Sequence, residues 1–177
     1  RRLSPQGRLC ATCRRTSALY AVHAFVSYKD VAKELVWRLK FSGARAAAQE
    51  IARLLAAHLT PPENVIVMHA PTASSRLRRR GYDQAELIAR ALARELRLPY
   101  MPVLKRLGQQ QQVGAGRSQR LAQLATAFRV SQPGLIKDAH ILLIDDVLTT
   151  GATLEAAAKT LKAVGAKRIS GIVFAQA

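Results

Sequence analysis

Apolar residues recur along this chain with two alternating periods, one suited to strands and one to helices. Leu19 to Tyr28 alternates loosely and is rich in β-branched and aromatic residues, which predicts a strand. From Asp30, the residues Val31, Leu35, Val36 and Leu39 recur at helical spacing, so Lys33, Arg38 and Lys40 are expected on the wet side. Phe41-Ser42-Gly43 should stop that helix. A second helix follows, with Ile51, Leu54, Leu55 and Leu59 on one face and Pro61-Pro62 beyond its end. Val65 to Met68 is a short unbroken apolar run, the pattern of a strand covered on both faces. A loop from Ala70 to Ser75 precedes a dense basic run, Arg76-Leu77-Arg78-Arg79-Arg80-Gly81, open between a solvated loop surface and a run that binds phosphate, whether of pyrophosphate or of a nucleic-acid backbone.

Asp83-Gln84-Ala85-Glu86 reads as a capping box with Asp in the capping place. The helix it opens carries Leu87, Ile88, Ala91, Leu92 and Leu96 on one stripe and stops before Pro99. Tyr100 to Leu104 and Ala127 to Val130 read as further strands, and Ile141 to Ile144 is the clearest buried one. Leu154 to Val164 predicts a helix with Leu154, Ala157, Ala158, Leu161 and Val164 inward and Gly165 at its end; Ile169 to Ala175 closes the chain as a strand. Strands alternating with helices predict one α/β domain, a mainly parallel sheet flanked by helices. Its expected bounds are 16–177, behind a basic tail, 1–15.

Composition narrows the class. The 177 residues include 28 Lys and Arg against 11 Asp and Glu, a net charge of +17, which favours polyanionic partners. Only 5% of residues are aromatic, so a stacking platform for single-stranded nucleic acid has few parts to draw on. The longest stretch without a charged residue, Thr16 to Tyr28, falls short of the ~20 residues a membrane helix needs. With no secretory signal visible, the expectation is a cytoplasmic protein without a membrane span. Cys10 and Cys13 supply two of the four ligands of a structural zinc site, so a remnant half-site is expected rather than bound zinc. A shared zinc site and a redox pair stay open.

The chemistry concentrates between Ile141 and Glu155. A buried strand delivers Asp145 and Asp146 to its carboxyl end, where open α/β sheets bind ligands. Thr149, Thr150, Gly151, Ala152 and Thr153 then form a short turn into a helix, whose N–H groups and hydroxyls suit a phosphate. Paired carboxylates beside a phosphate cradle can hold sugar hydroxyls, or magnesium through water. The combination describes a site for a phosphorylated sugar. There is no Walker A string, so Asp145-Asp146 lacks the partner of a Walker B reading. Gly114-Ala115-Gly116 follows no strand and does not continue as a dinucleotide fingerprint. A receiver domain would need most of its sheet after Asp145, and 32 residues follow it.

The string from Ile141 to Thr153 resembles the 5-phosphoribosyl-1-pyrophosphate signature of type I phosphoribosyltransferases. Upstream, Glu34-Leu35-Val36-Trp37-Arg38-Leu39-Lys40-Phe41-Ser42-Gly43, Arg79-Arg80-Gly81-Tyr82-Asp83-Gln84-Ala85 and Ala127-Phe128-Arg129-Val130 resemble successive blocks of the ComF family, in which Asn is commoner at the position of Asp83. The resemblance covers about residues 9–177, and makes Cys10 and Cys13 look like the second half of a four-cysteine knuckle.

It implies a type I phosphoribosyltransferase fold and a magnesium-dependent transfer of phosphoribosyl to an acceptor, linked to DNA uptake in natural transformation. Asp145 and Asp146 would hold the ribose hydroxyls and carry catalysis. Thr149, Thr150, Gly151, Ala152 and Thr153 would hold the 5-phosphate, and Val147 and Leu148 would belong to the same ligand-binding stretch. Ala70, Pro71 and Thr72 would grip pyrophosphate with Arg79 and Arg80 nearby, and residues 107–119 would be a closing flap. The alternative is a non-catalytic module for single-stranded DNA, in competence or repair, that retains the sugar-phosphate pocket.

Overall fold

A computed structural model describes residues 15–41, 44–107 and 127–177. The cysteine-bearing tail and nearly all of the expected flap lie outside them. In chain order the elements are β1 (Ala21–Ser27), α1 (Asp30–Phe41), α2 (Ala44–Ala56), β2 (Val65–His69), α3 (Ser74–Arg80) and α4 (Gln84–Glu95). They continue with β3 (Leu104–Arg106), β4 (Phe128–Val130), a 3-10 turn (Pro133–Ile136), β5 (His140–Leu148), α5 (Ala152–Ala163) and β6 (Arg168–Gln176). Strands β1, β6, β5 and β2 lie side by side in that order, all parallel, and β3 pairs antiparallel with β4.

The period of 2 sorts side chains between two apolar layers. In β5, Ile141 and Leu143 pack on one side with α5, β3 and β4, while Leu142 and Ile144 pack on the other with α1, α2 and α4. Strand β2 divides in the same way, Ile66 and Met68 against Val65 and Val67. Helices cover both faces, so the central strands are apolar at successive positions rather than alternating with polar ones. Every residue of β2 is buried. Truncating Leu143, fully buried at the centre, should cost ~2–5 kcal/mol as Leu143→Ala, read by chemical denaturation.

The structure corrects several boundaries. Val31 is exposed: the buried face of α1 runs through Val36 and Leu39, and Val31 lies about 140° around the helix from Val36. Leu54 is likewise exposed, and the buried positions of α2 are Ile51 and Leu55 together with Ala47, Ala48 and Ala52. The basic run is helix rather than loop. Leu and Arg favour helix, and Gly81 closes it in the left-handed conformation (φ 78°), its N–H donating to the Leu77 carbonyl. Tyr100 makes a single bridge to Val67, and the strand begins only at Leu104, because Pro102 has no N–H to donate. β5 does not end before its aspartates but runs on to Leu148, which pairs with Gln176.

Candidate active site

The carboxyl ends of the four parallel strands surround one cavity of about 400 Å³. Tyr28 follows β1, Ala70 follows β2, Asp145 to Val147 end β5, and Ala177 follows β6; all of them line it. This is the position at which open α/β sheets place ligands.

Asp145 and Asp146 are adjacent, so the pleat sends them toward opposite layers. Asp146 shares the parity of Leu142 and Ile144, the side on which α1 packs, and there it meets Lys40: Nζ lies 3.0 Å from Oδ2. Asp145 shares the parity of Ile141 and Leu143, the side of β3, whose Arg106 feels its charge. The Asp145 carboxylate accepts the Asp146 N–H at 2.9 Å, and that of Asp146 accepts the Val147 N–H at 2.8 Å. Burial, and then the neighbouring charge of Asp146, push Asp145 well above the usual carboxylate range.

The loop after β2 is fixed from three directions. Ala70 N–H donates to the Ile144 carbonyl at 2.9 Å, Arg106 Nη1 donates to the Pro71 carbonyl at 3.3 Å, and Thr72 N–H donates to Asp83 Oδ2 at 2.7 Å. The other oxygen of Asp83 caps α4, accepting from the N–H groups of Ala85 and Glu86. One buried carboxylate thus ties the loop to a helix start. Asp83→Ala should lower stability by ~1–2 kcal/mol as a lost cap, whereas Asp83→Asn, which keeps an accepting oxygen, should lose less; thermal unfolding separates them.

Behind the loop, the Tyr100 hydroxyl lies 2.8 Å from Nδ1 of buried His69, the last residue of β2, and the Arg90 guanidinium covers the Tyr100 ring. Across the cavity, Gly151 caps α5 with φ 72°, a conformation that side chains on Cβ disfavour, and the Thr150 hydroxyl accepts the Ala152 N–H at 3.3 Å.

Most of the expected residues converge. Asp145, Asp146, Val147, Thr149, Thr153, Ala70, Pro71 and Thr72 line the cavity. Thr150, Gly151 and Ala152 shape its edge through the cap of α5. Leu148 does not belong to this set: it is buried in the apolar layer, and its carbonyl accepts the Ala177 N–H. Arg79 and Arg80 do not line the cavity either. Arg79 is exposed, and Arg80 turns to Gln84 and to the ring of Phe41. Among the described residues, the cations facing the cavity are Lys40, Arg76 and Arg106.

Arg106 rests 5.2 Å from the Phe128 ring centroid. Burial, and then the charge of Arg76, lower its pKa, the signature of cations gathered without enough anion between them. Lys40 is not on the wet side of α1, where its helical spacing predicts it: Val36, buried one turn before it, shares its face, and the ammonium turns in to Asp146. Arg106, from a three-residue strand, carries no periodic signal.

Residues 79–177 match the phosphoribosyl transferase domain. The chain belongs to that family. Among individual proteins it is ComF-like. It is 26% identical to competence protein ComFC of Bacillus subtilis (strain 168), over 88% of this chain and 72% of that protein. It is 30% identical to competence protein ComFC of Streptococcus pneumoniae R6, over 82% of this chain and 64% of that one. The matches therefore span roughly two thirds to three quarters of these relatives. The glutamine phosphoribosylpyrophosphate (PRPP) amidotransferase of B. subtilis, solved with ADP and GMP, has the same fold over 73% of this chain and 26% of its own. The TM-score is 0.52 and the identity 14%. Among the described residues, no helix is long and apolar enough to cross a membrane.

Proposed function

We infer that the cavity binds 5-phosphoribosyl-1-pyrophosphate and that the protein transfers its phosphoribosyl group to a nucleophilic acceptor. The observation that carries this reading is the pair of aspartates, aimed to either side of a strand end, between a Thr-Gly helix start and three cations. In this reading Asp145 and Asp146 accept hydrogen bonds from the ribose hydroxyls. The turn from Thr149 to Thr153 takes the 5-phosphate at the N-terminus of α5, where N–H groups and the macrodipole favour an anion. Ala70, Pro71 and Thr72, with Arg76 and Arg106, take the pyrophosphate.

Among the described residues, no group of three or more His, Cys, Asp or Glu side chains is arranged to hold a metal. Magnesium does not need one, because it is commonly held by one or two carboxylates together with substrate phosphates and water. The donors here fit that mode, and the ion would neutralise charge on the departing pyrophosphate. The C1–oxygen bond to pyrophosphate breaks with its electrons leaving on oxygen. The acceptor bonds to C1 and loses its proton. Fixed cations favour this step by meeting charge that develops on the leaving group. The competence names of the two relatives support associating the activity with DNA uptake.

The test is calorimetric titration with 5-phosphoribosyl-1-pyrophosphate, with and without magnesium. Saturable binding that strengthens with magnesium, and exceeds that of ribose 5-phosphate, is expected. Folded protein that binds neither would overturn the reading and leave a module without sugar-phosphate chemistry.

A further inference from the structure

A second cavity, of about 520 Å³, lies at the far end of α4 and shares no lining residue with the first. Gln84 and Ala85, at the start of that helix, face the site already described, whereas Arg90, Ala93, Arg94, Arg97, Leu98 and Tyr100 line the second. Arg90, Arg94 and Arg97 are spaced i, i+4 and i+7, so the helix and its end bring three guanidinium groups to one side. All three residues are exposed. The carboxylates nearby do not balance them. Glu86 takes Arg90 at 2.9 Å, but Glu95 accepts from Gln49 and lies 4.0 Å from Arg53, both on α2. Among the described residues, no carboxylate pairs with Arg94 or Arg97.

The helix macrodipole accounts for a basic residue in the last turn, which here is Arg94 alone. Arg90 lies a turn further back. Arg97 lies beyond the end in the left-handed region (φ 55°), where glycine is the usual residue after a helix and a Cβ is disfavoured. A cation is thus kept where backbone chemistry favours glycine. The wall beside it is fixed, because the segment holding Tyr100 is bonded to β2: Val67 N–H donates to the Pro99 carbonyl at 2.9 Å, and Met101 N–H to the Val67 carbonyl at 3.0 Å. Arg90 covers the Tyr100 ring at 4.6 Å from its centroid, and Tyr100 also packs on the apolar layer of α4. The cavity therefore offers charge rather than a bare ring.

We propose that Arg90, Arg94 and Arg97 form a binding site for a small anion with two or more linked phosphate groups, separate from the sugar-phosphate cavity. Guanidinium groups meet phosphate oxygens through paired hydrogen bonds, and three of them can surround linked phosphates that a single phosphate engages only in part. The pair of Arg90 with Glu86 is a surface one, so Arg90 can turn to a ligand at little cost. The site stands whether or not the first cavity takes a phosphorylated sugar.

The probe is inorganic triphosphate at matched ionic strength, and the readout is protection of individual arginines of the full chain from phenylglyoxal, mapped by peptide mass spectrometry. Triphosphate should slow modification of Arg94 and Arg97 saturably, pyrophosphate should need a higher concentration, and orthophosphate should protect least. ATP should match triphosphate, since no ring is offered to its base. Arg97→Gly should weaken protection of Arg94 by about tenfold, the loss of one charge-assisted contact. The same variant should melt no lower than wild type, since glycine suits the left-handed backbone. Arg76→Ala, which alters the first cavity, should leave protection of Arg94 and Arg97 unchanged. The proposal is overturned by equal modification with and without triphosphate, by orthophosphate protecting as well as triphosphate, or by full protection of Arg94 in folded Arg97→Gly. Equal protection by a thymidine 20-mer, which would make the patch a nucleic-acid surface, also overturns it.

Discussion

Replacing both aspartates, as Asp145→Asn/Asp146→Asn, should abolish saturable binding of 5-phosphoribosyl-1-pyrophosphate with magnesium in a protein that remains folded. Asparagine keeps the shape and the accepting oxygen, so the backbone bonds to the next residues can survive. What is lost is charge, and hydrogen bonds to ionised acceptors are roughly twice as strong as those to neutral ones. The single variant Asp145→Asn carries a second, opposite expectation: it should melt higher than wild type near pH 7. Burial and the charge of Asp146 raise Asp145 in the folded chain above its ordinary value, so the folded state holds that proton more tightly than the unfolded one.

Stability attached to this proton is therefore full at pH below the ordinary carboxylate value of ~4, and is lost as pH rises toward the raised value. Asparagine does not ionise, so the gain of the variant should grow as pH rises from ~4 toward the raised value, by a few degrees in melting temperature. A variant that loses the ligand and gains stability is the mark of a carboxylate kept for binding. Sugar hydroxyls and a divalent ion favour the ionised form. Ligand binding by wild type should accordingly release protons, seen as calorimetric enthalpy that changes with buffer, and tighten as pH rises through the same window. Melting and binding curves that move together in Asp145→Asn would contradict this account.

The legibility of the site followed the range over which its physics acts. Apolar runs and helical stripes are local, and they place β2, α4, α5 and the first half of β5 nearly as they stand. The aspartates and the Thr-Gly turn could be read because one strand, one turn and one helix start lie in unbroken succession. The cations could not be read in this way. Arg79 and Arg80 stood in the densest basic run and were expected at the pyrophosphate, but a seven-residue helix rotates them away and leaves Arg76 facing the cavity. Arg106 reaches the site from a separate two-stranded ribbon. Leu148 enters the expected ligand set only as part of the family signature, whereas pairing with β6 carries the strand two residues past its carboxylates and buries that side chain.

Lys40→Met should be the most costly change at the cavity edge. The ammonium lies 3.0 Å from a carboxylate oxygen of Asp146, whose side chain is only 10% exposed, against 21% for that of Lys40. Removing one partner of a well-buried pair costs ~3–5 kcal/mol, because the other charge stays buried and uncompensated. Partial exposure of Lys40 reduces this to about 2 kcal/mol, or a fall of ~4–8 °C in melting temperature. The loss should shrink when Asp146→Asn is present, so the double variant should be more stable than the two single losses added together. Additive losses would show that the pair is a surface contact without energetic weight. Lys40→Met should also weaken 5-phosphoribosyl-1-pyrophosphate binding by about tenfold, the ~1.4 kcal/mol contributed by one of three cations around a polyanion. Lys40→Arg restores the charge but not the shape, since a planar fork replaces a compact ammonium. It should recover most of the ligand affinity and less of the stability. Recovery in that order would separate the two tasks of Lys40, neutralising Asp146 within the fold and meeting phosphate charge in the cavity.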